Sequence, residues 1–480
     1  MSHFFFSRAI FCRLFAGSML LSVFSAAALA EIDRTQKPES DPAPAVSFPD
    51  YQTEELANGL KIFVIKDDRK PMVTFRLLVK SGGIFDGKKT GTASFVATLL
   101  TRGTKERDAE QFAEETDFLG MKIDAASNVD SIAVTATGLT KYSDKILALF
   151  ADAILHPAFA REQFNKLQRK TLSALEAEKQ EPAKLADKLG SKVVFGAFPY
   201  GDYLTPESVK AIAREDLMLF HHQHFVPNNA TLAIVGDVNP ADIIAQVKQF
   251  FGDWQKADVP KLDLTDIPEL KGLTIHLVNR PGSVQSNILF TSPGPARNTP
   301  DVPELNVMNT TLGGGFSGRL FQNLREKHGY TYGAYSAFDL HKLAGQFEAN
   351  AETRNEVTAP AIEEAMNEIK RIRDEVAPDA EIALQRQYNV GNYLLSLENS
   401  ARTAQRVQEI DLFGLPEDFY KHFARRMSEV TGAQVQELAK KYLSTENLAI
   451  IVVGEAKDIQ PDLEKIGKVL VYDQDLKRMP

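Results

Sequence analysis

One phrase of sequence occurs twice in this chain. "FVPNNATLAIVGD" begins at Phe225 and "LSTENLAIIVVGE" begins at Leu443, 218 residues later. At that spacing Asn229 meets Asn447, and Val235-Gly236-Asp237 meets Val453-Gly454-Glu455. Each copy is an apolar run bounded by turn residues, the pattern of a buried strand. Each also follows an amphipathic helical stretch and precedes an acidic, helical one. A repeat this long is a duplicated domain, so the chain is predicted to contain two similar α+β units of about 200 residues each. In each unit helices cover a mainly antiparallel sheet. The polar, Pro-containing stretch "ADVPKLDLTDIPELKG", 257–272, is the expected linker, exposed to solvent, between domains at 49–256 and 273–472.

Within the first unit the elements follow from turns and caps. Asn58-Gly59 reads as a turn before a strand over 60–65, and "MVTFRLLVKSGG" as a second strand ending in a glycine turn. "ERDAEQFAEETDFLG" is a helix closed by Gly120. "MKIDAASNVDSIAVTATGL" is a strand pair, and long amphipathic helices cover about 140–190. "LTPESVKAIAREDLMLFHHQHF" is read as one helix, with Thr205 as its N-cap and Pro206 at its first position.

The first residues stand apart from this pattern. "MSHFFFSRAIFCRLF" carries Arg8 and Arg13 and no acid, and an apolar stretch follows that ends in Ala28-Leu29-Ala30. This reads as a secretory signal peptide over 1–30, cleaved near Ala30, and predicts a periplasmic or otherwise exported protein. The Pro-rich stretch 31–48 is then a flexible lead-in. Cleavage removes Cys12, the only cysteine, so the mature chain is expected to have no disulfide or thiol chemistry. The formal charge of the whole chain is −9, with no basic tract, which argues against nucleic-acid binding. No segment after the signal is long and apolar enough in sequence to span a bilayer.

Two tempting motifs fail on context. "GGGFSG", 313–318, has the spacing of a dinucleotide loop but follows a helical stretch, "PELNVMNTTL", where a strand is needed. His221, His222 and His224 are close in sequence. On a helix His222 points away from the other two, and no carboxylate stands at ligand spacing. A Gly-x-Ser-x-Gly elbow is absent too.

The segment "GTASFVATLLTRGT", 91–104, poses a sharper question. Ser94, Ala97 and Thr98 fall at i, i+3 and i+4, on one face of a helix whose Phe95, Val96, Leu99 and Leu100 look like core. A small, bland face suits close packing. It also suits a site that has lost its functional groups.

Together with "FPYGDYLTPESVKAI", "FVPNNATLAIVGDV" and "LGGGFSGRLFQNLREKHGYTYGAYS", this segment resembles the pitrilysin/insulinase metallopeptidase family, in its mitochondrial-processing-peptidase-like branch. The resemblance runs in order through about residues 50–470, in both halves. It implies a clam-shell half built of two domains. In that family the helix carries an H-x-x-E-H zinc motif, and a further Glu ligand follows roughly 76 residues after the last His. Carried onto this chain, those positions are Ser94, Ala97, Thr98 and Ala174. None can ligate zinc or act as the general base. Glu176 and Glu178 are near in sequence, but the His pair would still be absent. The resemblance therefore implies that this chain binds no zinc.

The family's second element is intact. An Arg and a Tyr seven residues apart contact the substrate backbone, and here "REKHGYTY" supplies Arg325 and Tyr332. The resemblance thus implies the non-zinc subunit of a heteromeric metallopeptidase. Its partner would be a homologue bearing H-x-x-E-H and the zinc, and its substrate an unfolded peptide added as a strand near Asp124-Ala125-Ala126. The alternative is a scaffold or peptide-binding protein of the same fold, with no part in catalysis.

Overall fold

A computed structural model describes residues 48–480. The signal peptide and nearly all of the lead-in lie outside the described residues.

The first lobe contains strands β1 (Gln52–Glu55), β2 (Lys61–Lys66) and β3 (Met72–Val79), then helices α1 (Thr92–Leu100) and α2 (Ala109–Phe118). Strands β4 (Lys122–Ser127) and β5 (Ile132–Leu139) follow, then α3 (Ser143–Leu155), α4 (Arg161–Glu178), α5 (Pro182–Phe195), α6 (Pro206–Ala211) and α7 (Arg214–His224). Strand β6 (Ala230–Gly236) and α8 (Pro240–Phe251) close the lobe. The second lobe repeats the plan with β7 (Thr274–Asn279), β8 (Gln285–Gly294), α9 (Val302–Leu312), β9 (Thr331–Leu340) and β10 (Gly345–Arg354). It continues with α10 (Thr358–Asp374), α11 (Asp379–Ser396), α12 (Ser400–Phe413), α13 (Phe419–Ser428) and α14 (Gly432–Tyr442). It ends with β11 (Ala449–Gly454), α15 (Ala456–Ile466) and β12 (Lys468–Tyr472).

The two six-stranded sheets run β1-β2-β6-β3-β5-β4 and β12-β7-β11-β8-β10-β9. The duplicated phrases are β6 and β11, which occupy the same third place in their sheets and are buried along their whole length. Each is parallel to one neighbour, β2 or β7, and antiparallel to the other, β3 or β8. The lobes differ at one edge, where β1 is antiparallel to β2 but β12 is parallel to β7.

The lobes exchange helices. Helices α5 and α12 are 218 residues apart at both ends, the spacing of the repeat. Helix α5 belongs to the first half yet packs on β8 and β11 of the second sheet. There Leu185, Ala186 and Leu189 share a core with Val278, Leu289, Ile451 and Val453. Gly190 makes the approach close, since a Cβ there would stand 2.9 Å from Leu289 Cδ2. Helix α12 in turn packs on β3 and β6 of the first sheet. Its Gln408, fully buried, donates to the carbonyls of Arg76 and Thr231 at 2.9 Å and accepts from Arg76 Nη1 at 2.5 Å. Asp411, one turn on, pairs with Lys61 at 3.2 Å and Lys80 at 2.9 Å. Each fully buried leucine or isoleucine in such a seam contributes about 1.5–3 kcal/mol.

One expectation needs correction. The single helix expected over 205–225 is two, α6 and α7. Thr205 caps the first with a capping box, as its side chain allows, but Ile212 leaves the helical region (ψ 126°) and buries its side chain. Asp216 then accepts from the Ala213 amide at 2.7 Å and starts a new helix. The stretch 257–272 has no helix or strand and is mostly exposed, with Leu262, Leu264, Ile267 and Leu270 half-buried against Val194, Phe195, Phe198 and Tyr200. Protease is therefore expected to cut upstream of Leu262, in the exposed run 255–258. Because α5 and α12 cross between lobes, the nicked protein should still elute as one species from a sizing column and separate into two fragments only on a denaturing gel. Two fragments separating under native conditions would contradict the helix exchange.

Candidate functional site

Helix α1 begins at Gly91, whose φ of +106° places it in the left-handed region. A side chain at Gly91 would also meet Leu204 Cδ2 at 2.3 Å. Asp86 caps the helix from a distance, accepting from the Gly91 and Ala93 amides at 2.7 and 2.8 Å. Burial nevertheless pushes the Asp86 carboxyl up to about 7, outweighing those amides. Phe95, Val96, Leu99 and Leu100 are core, with Phe95 packing on Phe164 of α4.

The four positions carried over from the zinc motif lie on adjacent helices. Ser94 is exposed and Thr98 half-buried, while Ala97 is buried against the core. The Thr98 hydroxyl donates to the Ser94 carbonyl at 2.9 Å, a bond within its own helix. Ala174 is exposed on α4, and α4 contacts α1. The nearby acids are engaged elsewhere: Glu178 with Lys188 at 2.5 Å and Glu176 with Lys179 at 3.3 Å. Among the described residues no group of three or more His, Cys, Asp or Glu could hold a metal ion. Methyls and hydroxyls, one already bonded to backbone, do not fit zinc.

The histidines near 221–224 are also committed. His221 Nε2 bonds to the Ile154 carbonyl at 2.7 Å, and His224 Nδ1 to Ser81 Oγ at 3.0 Å. Burial pushes both down to about 4, so both stay neutral in the fold.

Arg325 and Tyr332 sit on neighbouring elements of the second lobe. After a short helix, Arg319–Phe321, the chain widens into a π-helical turn, Gln322–Lys327, that carries Arg325. Gly329 at φ +64° releases the chain into β9. π-Turns concentrate at functional sites because they re-aim side chains at a cost in helix geometry. Tyr332 stands in a second irregularity. The β9–β10 register shifts between Ala351 and Thr353, so Tyr332 and Gly333 oppose one residue of β10. This bulge lies on an edge strand, and Tyr332 is 90% exposed. It is therefore not a core tyrosine.

Sequence reasoning missed three aromatic neighbours. Phe316, at the tip of the glycine loop 313–318, is 69% exposed. It packs edge-on to Phe321 at 5.1 Å and Tyr335 at 6.2 Å. The Arg325 guanidinium lies over Phe321, 4.8 Å from the ring centre. Gly333 lets the Tyr335 ring lie along the strand, since a Cβ there would be 2.7 Å from it. A phenylalanine inside "GGGFSG" was the one available sign, as a loop so rich in glycine has no local reason to carry a large apolar ring.

The first lobe presents a sheet edge of its own. β4 pairs only with β5, its residues alternate exposed and half-buried, and α1 packs beside it. Asp124, Ala125 and Ala126 lie at its middle.

These features define a class: a duplicated, helix-exchanged α+β protein with no metal-ligating group on helix α1 of one lobe and exposed Arg325 and Tyr332 in the other. Comparison with known proteins agrees. The Insulinase (Peptidase family M16) model matches residues 61–201, and the Peptidase M16 inactive domain model matches 211–389. The chain belongs to the insulinase, or pitrilysin, family. An uncharacterized zinc protease of Rickettsia bellii is 25% identical over 361 residues, covering 74% of this chain and 86% of its own. An uncharacterized zinc protease of Bacillus subtilis is 21% identical over 403 residues, 83% of this chain and 96% of its own. Among solved structures, a peptidase M16 inactive domain from Pseudomonas fluorescens superposes with a TM-score of 0.79 at 25% identity, covering 84% of this chain and 98% of that one. A protease from Helicobacter pylori shares the fold, with a TM-score of 0.79 at 18% identity over 84% of this chain and 99% of its own.

Proposed function

We propose that this chain is the non-zinc subunit of a heteromeric, exported metallopeptidase. It would bind an unfolded peptide and complete the active site of a homologue that bears H-x-x-E-H. The observation that carries this reading is the contrast between the lobes: the positions matching the zinc motif hold Ser94, Ala97, Thr98 and Ala174, while Tyr332 is exposed on a bulged edge strand next to the π-turn that carries Arg325. A structural role gives no reason to expose a tyrosine this fully.

In this role Arg325 and the Tyr332 phenol donate to peptide carbonyls and to the oxyanion that develops during hydrolysis. The partner's zinc supplies the activated water. The free edge of β4 can accept an extended peptide by main-chain hydrogen bonds, which suits unfolded chains of varied sequence. The relative described as an inactive domain supports a subunit without metal chemistry of its own. Export rests on the sequence of residues 1–30 alone.

The test mixes the mature chain with a zinc-bearing homologue from the same genome. The two should co-elute, and an unfolded peptide should be cleaved by the mixture and not by this chain alone. A homologue that cleaves equally well without this chain and forms no complex with it would leave the scaffold reading in place.

A further inference from the structure

The second lobe contains a cleft of about 670 Å³ between α9, α11, α12 and α13. Its charge is one-sided. Arg297, Arg402 and Arg406 line it, and among the described residues Glu409 is the one carboxylate that does. Glu409 is already committed: it pairs with Arg297 at 3.2 Å and accepts from Gln405 at 2.8 Å and from the Tyr420 hydroxyl. Arg402 donates only to Gln405, at 3.3 Å. The Arg406 guanidinium lies over the Tyr393 ring, 4.4 Å from its centre. Nη1 of Arg297 and Nη1 of Arg406 are both buried without a hydrogen-bond partner. Buried polar nitrogens are nearly always bonded, so both guanidiniums have hydrogen-bonding capacity that the protein itself does not use.

The duplication sharpens the point. At the repeat spacing of 218, α4 and α5 correspond end to end with α11 and α12. Arg406 therefore stands where the first lobe has Lys188, and Ser396 where it has Glu178. In the first lobe Lys188 and Glu178 neutralise each other at 2.5 Å. The second lobe has kept the cation and replaced its carboxylate with a hydroxyl. Asn392, on the cleft wall, stands in turn where the first lobe has Ala174.

We propose that this cleft binds a small organic oxyanion, a carboxylate or a phosphate ester attached to an apolar or aromatic body. Guanidinium forks match either oxyanion. The Tyr393, Phe423 and Phe338 side chains supply the apolar wall for the body, and the volume suits a small-molecule ligand. The site is separate from the Arg325/Tyr332 pair and does not depend on the peptidase reading.

The test is calorimetric titration of the mature chain with hippurate, phenyl phosphate, inorganic phosphate and the neutral control hippuramide. At least one anionic probe should bind, and hippuramide should bind at least tenfold more weakly than that probe. Preference for hippurate identifies a carboxylate ligand, and preference for phenyl phosphate a phosphoester. Arg406→Gln should weaken binding at least tenfold. Asn392→Asp, at an exposed position, should do the same with the melting temperature unchanged, which keeps the test decisive if Arg406→Gln fails to fold. The proposal is overturned if no anionic probe binds at millimolar concentration, if inorganic phosphate alone binds, if hippuramide binds as well as the anions, or if Asn392→Asp binds like the parent.

Discussion

Arg325→Ala in the mixed complex is expected to lower peptide cleavage by about 10²–10³, the usual loss when one donor to a developing oxyanion is removed. Tyr332→Phe should fall in the same range, because it removes only the hydroxyl from a ring that already stands in solvent. The loss should appear mainly in kcat, since the donors bind the developing charge more strongly than the ground-state carbonyl. Neither change should unfold the chain. Tyr332 is too exposed to open a cavity, and Arg325 gives up a cation–π contact with Phe321 worth about 0.5–1 kcal/mol at such a site. Co-elution with the partner should therefore persist. Full activity of either variant in an intact complex would remove the catalytic role of the pair.

The second large effect concerns the exchanged helices. Gln408→Ala should destabilise the chain by about 3 kcal/mol, because it strips hydrogen-bond partners from buried groups on the other lobe's sheet. The carbonyls of Arg76 and Thr231 lose their donor, and Arg76 Nη1 loses its acceptor. Arg76 is especially sensitive: burial pushes it down to about 10, so its charge is already costly where it lies. Urea unfolding can be followed by fluorescence of Trp254, the only tryptophan, and by circular dichroism for both lobes. The two probes should coincide in the parent chain, as expected if the lobes unfold together. A loss below about 1 kcal/mol would mean that this seam does not hold the lobes together.

The duplication was legible because a buried parallel strand writes a continuous apolar run between turn residues. β6 and β11 do so at the same point of each lobe. A local cap was legible too: Thr205 closes a capping box with Ser208, three positions on. The exchange of α5 and α12 was not, because amphipathic periodicity says that a helix has a buried face and not which sheet receives it. The break between α6 and α7 depends on burying Ile212, a tertiary demand that no local propensity announces. In the expected linker, 257–272, the prolines and charges were legible, while the docking of four spaced apolar residues on Phe195 and its neighbours depends on tertiary packing.

At the candidate site, the residue types were legible and the backbone devices were not. A metal site needs ligands of fixed type and spacing, so the family resemblance points to Ser94, Ala97, Thr98 and Ala174 as the positions to inspect, and none of these side chains can ligate zinc. The π-turn under Arg325 and the bulge at Tyr332 leave little trace in sequence beyond Gly329 and Gly333. The same holds for the arginine cleft, whose members are spread from 297 to 427 and meet only through packing.

Metal content measured alongside cleavage tests the central claim most directly. The purified mature chain should carry no stoichiometric zinc after exposure to the metal and removal of excess, and should cleave no peptide. Its complex with the zinc-bearing homologue should carry one zinc per pair and be active. One zinc per isolated chain, with peptide cleavage abolished by a chelator, would contradict the account.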